Sequence, residues 1–133
     1  MEKLRWWVAA LNGHLAVVSR LIDAGAQVDK GDGSGWTPLF CAAQCSHLSV
    51  VNRLLEAGAQ VDKATNNGST PLNIASRFGH LPIVHRLLEA GAHVDKADDD
   101  GWTPLFASSM NSRLSVVNRL LEAGAQVDNR NTP

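Results

Sequence analysis

Excess basic charge, a cysteine framework and long apolar runs are all missing from this chain, and each gap closes off a class of function. Lysine and arginine number 12 against 13 aspartate and glutamate, for a net charge of -1. Nucleic-acid binding shows as a concentrated basic surface, and here the cations are scattered. The two cysteines, Cys41 and Cys45, are too few and too close for a disulfide framework, which points to a reducing, intracellular setting. No stretch approaches the roughly 20 apolar residues of a membrane span. The opening "MEKLRWWVAALNG" lacks a convincing signal-peptide cleavage site. Neither a nucleophile elbow nor a phosphate-cradling loop occurs, since the glycine-rich "GDGSG" at 31–35 stands in register with other turn segments. The composition therefore predicts a soluble, non-catalytic chain without cofactor and with neither nucleic acid nor membrane as partner.

What the chain has in abundance is itself. "GWTPLF" at 35, "GSTPLN" at 68 and "GWTPLF" at 101 are spaced 33 residues apart, as are "AGAQVD" at 24, 57 and 123 and "AGAHVD" at 90. A fixed period of that size implies a solenoid, whose units are too small to bury their apolar faces alone and do so by stacking. Within a unit, Thr37-Pro38 is a helix start: the hydroxyl can accept a free N–H, and proline fits the first helical position. Thr70-Pro71 and Thr103-Pro104 repeat it. A short first helix, "PLFCAAQCS", carries small residues that allow close approach, and "HLSVVNRLLEAG" is a second helix with apolar residues at helical spacing. Gly25, Gly58, Gly91 and Gly124 end the second helices. Pro82 falls in a first turn, where proline is tolerated, and "AQVDKGDGSGW" suits a turn or hairpin.

"GWTPLFCAAQCSHLSVVNRLLEAGAQVD" resembles an ankyrin repeat, and the resemblance extends over nearly the whole chain as four consecutive units, about 1–30, 31–63, 64–96 and 97–133 of one domain. It implies an all-α solenoid of stacked helix pairs with projecting β-hairpin-like loops, acting as a non-catalytic protein-binding scaffold. The departures are equally specific. The family's histidine after Thr-Pro-Leu is Phe40, Asn73 and Phe106 here, so loop order must come from packing or from Asn73. The glycine before the second helix is kept at Gly13 and Gly79 but is Ser46 and Ser112 elsewhere. The asparagine that follows the loop valine is Asp29, Asp62, Asp95 and Asp128, which disfavours the hydroxylation known at that asparagine.

At the ends, Leu4-Arg5 replace Thr-Pro, and Trp6 and Trp7 stand where they can cover the open end of the stack. Unit four replaces Ala42-Ala43 by Ser108-Ser109 yet keeps an apolar second helix, and Thr132-Pro133 falls near the start of a fifth unit. Two readings follow, an excerpt from a longer array, favoured because end units need a polar outer face, or a modestly capped four-unit protein. A monomer is expected, with the open C-terminal unit as the place where it would fray or self-associate.

Chemistry-bearing residues are few. Cys41, Cys45 and His47 form a C-x3-C-x-H pattern, with the two cysteines on one helix, but lack the second ligand pair of a structural zinc site. His14, His47 and His80, followed by Arg113, recur at the second-helix start, where capping or packing explains them, and His85 and His93 lack a telling partner. Asp98 to Asp100 form either a solvated tip or an acidic edge that attracts a basic partner.

The resemblance implies a concave binding groove of loop tips and exposed first-helix residues. Carried over by position, the tips are Gly31, Gly33, Ser34 and Trp36, then Ala64, Asn66, Asn67 and Ser69, then Ala97, Asp99, Asp100 and Trp102. The helices contribute Leu11 and Asn12, Gln44 and Cys45, Arg77 and Phe78, and Met110 and Asn111. Residues 35–62 and 101–128 are identical at 22 of 28 positions, and all six differences lie within 41–47 and its counterpart. The scaffold is thus fixed while the first helix varies. Trp36 and Trp102 are prime candidates, because unit three has only Ser69 there; with units about 10 Å apart, the indoles stand about 20 Å apart. They either anchor a partner, with Phe78 and Met110 extending the apolar strip, or lie flat on neighbouring loops in place of the missing histidine. The rival to partner binding is a self-assembling array without a foreign ligand.

Overall fold

The computed structural model describes residues 7–128, which form eight helices and, among those residues, no strand. Short helices α1 (Trp7–Leu11), α3 (Pro38–Gln44), α5 (Pro71–Phe78) and α7 (Pro104–Met110) alternate with α2 (Leu15–Asp23), α4 (Leu48–Glu56), α6 (Leu81–Glu89) and α8 (Leu114–Glu122). The expected end cover by Trp6, the Leu4-Arg5 departure and the Thr132-Pro133 start lie outside the described residues, as does the Trp7 side chain.

Local chemistry sets these boundaries. Thr37, Thr70 and Thr103 sit in extended backbone with Pro next, and each hydroxyl accepts the N–H three residues on, from Phe40, Asn73 and Phe106 at 3.2, 3.1 and 3.2 Å. The second helices end in Schellman motifs. In α4 the Gly58 N–H donates to Leu55 O and the Ala59 N–H to Leu54 O, both at 3.0 Å, while Gly58 takes φ 92°, a left-handed geometry that costs glycine little.

First helices pack on first helices (α1, α3, α5, α7 in order), second on second, and each pair packs on itself, giving a two-layer helical solenoid. The core between the layers is a continuous stripe: Leu39, Leu72, Val51, Val84, Leu54, Leu87 and Leu120 are all essentially inaccessible. Each such side chain contributes about 1.5–3 kcal/mol by leaving water. The small residues predicted to allow close approach do so: Ala42, Ala43 and Ala75 are fully buried, and Ser108 joins them by turning its hydroxyl onto Leu105 O at 3.0 Å. Ser76 is buried with its Oγ unpaired.

Polar ladders fix the register between successive pairs. His47 and His80 donate from Nε2 to the carbonyls of Leu11 and Gln44 at 2.9 and 2.8 Å, and Arg113 donates from Nε to Arg77 O at 3.2 Å. Asp29, Asp62 and Asp95 accept the backbone N–H of Gln60, His93 and Gln126 at 3.1, 3.1 and 3.2 Å. The recurring histidine is therefore a strut between pairs, and arginine replaces it without loss of the bond.

Ser46 and Ser112 occupy the left-handed region, with φ of 62° and 58°. That conformation costs a non-glycine residue about 1 kcal/mol. Ser46→Gly is expected to raise the unfolding free energy by about 0.5–1 kcal/mol in urea melts, the gain being limited by the entropy glycine adds to the unfolded chain.

Candidate partner-binding face

The loop tips are built by short polar side chains folding back on their own backbone. Asp32 Oδ1 accepts the N–H groups of Ser34 and Trp36 at 2.8 and 3.0 Å, and its own N–H donates to Trp36 O at 3.1 Å. Asp98 does the same for Asp100 and Trp102, both at 2.9 Å. In unit three Thr65 takes the role, accepting from Ser69 at 3.3 Å. Neighbouring tips are then tied together: Asn66 donates its N–H to Ser34 O and its Nδ2 to Gly33 O, each at 3.0 Å, and Asp99 donates its N–H to Asn67 O at 3.0 Å. Gly35 lies so close beneath Asn66 that a Cβ there would stand 2.6 Å from Oδ1.

The acidic run thereby divides. Asp98 is a turn-builder, while Asp99 and Asp100 are exposed at the tip. Gly33, Ser34, Asn66 and Asn67 are exposed too, whereas Gly31, Ala64, Ser69 and Ala97 are half-buried. On the helix ends Asn12, Cys45, Arg77 and Asn111 are exposed, and Leu11 and Gln44 are half-buried. Asn111 is occupied in part by its own helix, donating Nδ2 to Ala107 O at 2.8 Å. Phe78 and Met110 are the large apolar side chains most open to water on these helix ends, 38% and 60% exposed. The Arg77 guanidinium stands 5.7 Å over the Phe78 ring, and His80 stacks on that ring at 6.2 Å.

The tryptophans differ from the sequence expectation. Neither is fully exposed, and neither is superfluous to the fold. Trp36 packs on Phe40 with ring centroids 4.9 Å apart and planes tilted 59°, and Trp102 meets Phe106 edge-on at 4.7 Å and 87°. The indole caps the phenyl ring of its own unit. Unit three has neither partner: Ser69 replaces the indole, and Asn73 replaces the phenylalanine, donating Nδ2 to Lys96 O at 3.2 Å. Two solutions to the missing family histidine thus alternate along one chain.

Cys41 and Cys45 are free thiols. Burial pushes the Cys41 thiol up to about 12, helped by the charges of nearby Asp32 and Cys45. A thiol so reluctant to ionise is a packing group rather than a thiolate ligand or nucleophile, and His47 Nε2 is already engaged by Leu11 O.

The sequence family described as "Ankyrin repeats (3 copies)" matches residues 6–65 and again residues 61–131. The chain belongs to the ankyrin repeat family. No curated protein matches it. Ankyrin repeats are generally protein-interaction modules and typically non-enzymatic. Among the described residues of this ankyrin chain, no helix is long and apolar enough to cross a membrane.

The turn-building role of Asp32, Thr65 and Asp98 escaped the sequence reading, although a signal was present: each stands four residues before Trp36, Ser69 or Trp102, the last residue before the capping threonine. Likewise unassigned were Leu114, Leu121 and Val127, which are exposed on the last helix pair and its loop.

Proposed function

We propose that this chain binds a protein partner through the face made by its loop tips and first-helix ends, without catalysing a reaction. The observation that carries this reading is the exposure of Phe78 and Met110 on successive first helices, below the exposed Asn66, Asn67, Asp99 and Asp100 of the tips. Large apolar groups open to water and rimmed by polar ones favour an interface. Trp36 and Trp102 add half-buried indole edges to the strip, Cys45 and Gln44 extend it towards unit two, and the two tip carboxylates favour a partner with basic residues at that end. The free thiols support an intracellular location.

The test is capture of proteins from a cognate lysate by the immobilised chain, compared with Phe78→Ser and Met110→Ser. Met110 is 60% exposed, so Met110→Ser is expected to melt within about 0.5 kcal/mol of the parent. Phe78 is 38% exposed and stacks on His80, so Phe78→Ser is expected to cost about 1–2 kcal/mol with the fold kept, while an interface anchor lost costs about 2 kcal/mol or roughly 30-fold in affinity. Equal capture by parent and double variant sinks the reading.

A further inference from the structure

Each helix pair is seated on its predecessor through the same positions. Val50, Ile83 and Val116 are fully buried on α4, α6 and α8, whereas Val17, their counterpart on α2, is 48% exposed. These positions form the leading face of a pair. The trailing face shows the reverse. Val18, Val51 and Val84 are fully buried, but Val117 on α8 is half-buried. Val127 is 75% exposed, although Val28, Val61 and Val94 pack partly buried against the core. Phe106, Val117, Leu121 and Val127 line a cleft of about 420 Å³ that is mostly apolar.

The polar ladders have matching ends. Inside the chain the residue at the second-helix start reaches back to the carbonyls of residues 11, 44 and 77, and the aspartate after the loop valine accepts the N–H of residues 60, 93 and 126. His14 and Gln27 belong to these series on the leading face, Met110 and Asp128 on the trailing face, and His14 and Asp128 are exposed. With a 33-residue period, a second copy seated one unit beyond α7 and α8 continues the register, each of these groups opposite its partner type.

We propose that a second copy of this chain seats the leading face of α1 and α2 on the trailing face of α7 and α8, extending the stack head to tail. In that register His14 Nε2 donates to the Met110 carbonyl, the Gln27 N–H donates to the Asp128 carboxylate, and Val17 enters the cleft beside Val117. The occupant is argued from continuity, because the contacts repeat those that join successive pairs within the chain. A net charge of -1 opposes such contact only weakly. The contact is heterologous and leaves a free face at each end, so it grows into open chains rather than stopping at a dimer. It meets the proposed groove at Met110, whose carbonyl it uses while the exposed side chain belongs to the groove.

Sedimentation velocity over a dilution series tests this. The apparent mass of the parent is expected to rise with concentration from 14.2 kDa to twice that value and beyond. Val17→Glu blocks the leading face and Val127→Glu the trailing face, and both replace exposed side chains, with circular dichroism checking the fold. Each alone is expected to stay monomeric, while their equimolar mixture gives a dimer and nothing larger. A parent that stays monomeric throughout overturns the proposal. Self-association of either variant alone, which face-to-same-face pairing would give, also overturns it. If a variant misfolds, His14→Ala and Asp128→Ala supply the same readout, as a shift of the association midpoint to higher concentration.

Discussion

Leu87→Ala is expected to lower the unfolding free energy by about 3 kcal/mol, the middle of the range for a buried leucine truncated in a rigid core. Leu87 is fully buried on α6, between α4 and α8, so the cavity would open at the junction of two inter-pair interfaces. In a stack whose stability is a sum of pair terms and nearest-neighbour terms, weakening two interfaces at the centre also lets the two ends melt separately. The urea transition should therefore broaden as well as shift, with a smaller apparent m-value. Leu21→Ala supplies the control. Leu21 is the same position on α2 but only half-buried, so its loss is expected to cost about 1 kcal/mol, following the smaller apolar area involved. Urea melts followed by circular dichroism measure both, and equal costs at the two positions would show that burial between pairs does not govern stability.

The parts of this fold readable in the sequence are those that depend on one residue type at one place. Thr-Pro announces a helix start because hydroxyl acceptance and a missing N–H serve the same end, and glycine after a leucine-rich helix announces its stop because the left-handed turn asks for no Cβ. Periodicity then supplies the stacking. It fails where two residues must be placed together by the backbone between them. Trp36 and Phe40 are four apart, across the end of a loop and the start of a helix, and only the turn held by Asp32 brings the rings into contact. Asp98 looked like one charge in an acidic run, because the run conceals which carboxylate folds back onto the chain. The histidine series was recognisable as periodic, but its partner is a backbone carbonyl, and a carbonyl has no letter in the sequence. The candidate face shares this limit: position in the period placed Phe78 and Met110 on it, whereas the burial that demotes Trp36 from free anchor to half-packed cover needed coordinates.

That cover can be measured directly. Trp36→Ser is expected to cost about 1–2 kcal/mol, since it removes a half-buried indole from the Phe40 ring. Phe40→Asn is expected to cost about 3 kcal/mol, because Phe40 is only 2% exposed and an amide placed under the indole has a desolvated oxygen and a cavity around it. The double variant installs the pair that unit three already uses, Ser69 with Asn73, where the amide donates to Lys96 O. Lys63 is the equivalent residue for Asn at position 40, and without the indole the amide also gains access to water. The double variant should therefore lose less than the two single variants together, by about 1 kcal/mol, the coupling found for paired aromatic rings. Urea melts of the four proteins provide the cycle, and additivity within about 0.3 kcal/mol would show that indole and phenyl ring act independently. A confirmed coupling also changes how binding data must be read: affinity lost with Trp36 would include the cost of an uncapped Phe40, and Met110, 60% exposed, reports on the partner more cleanly.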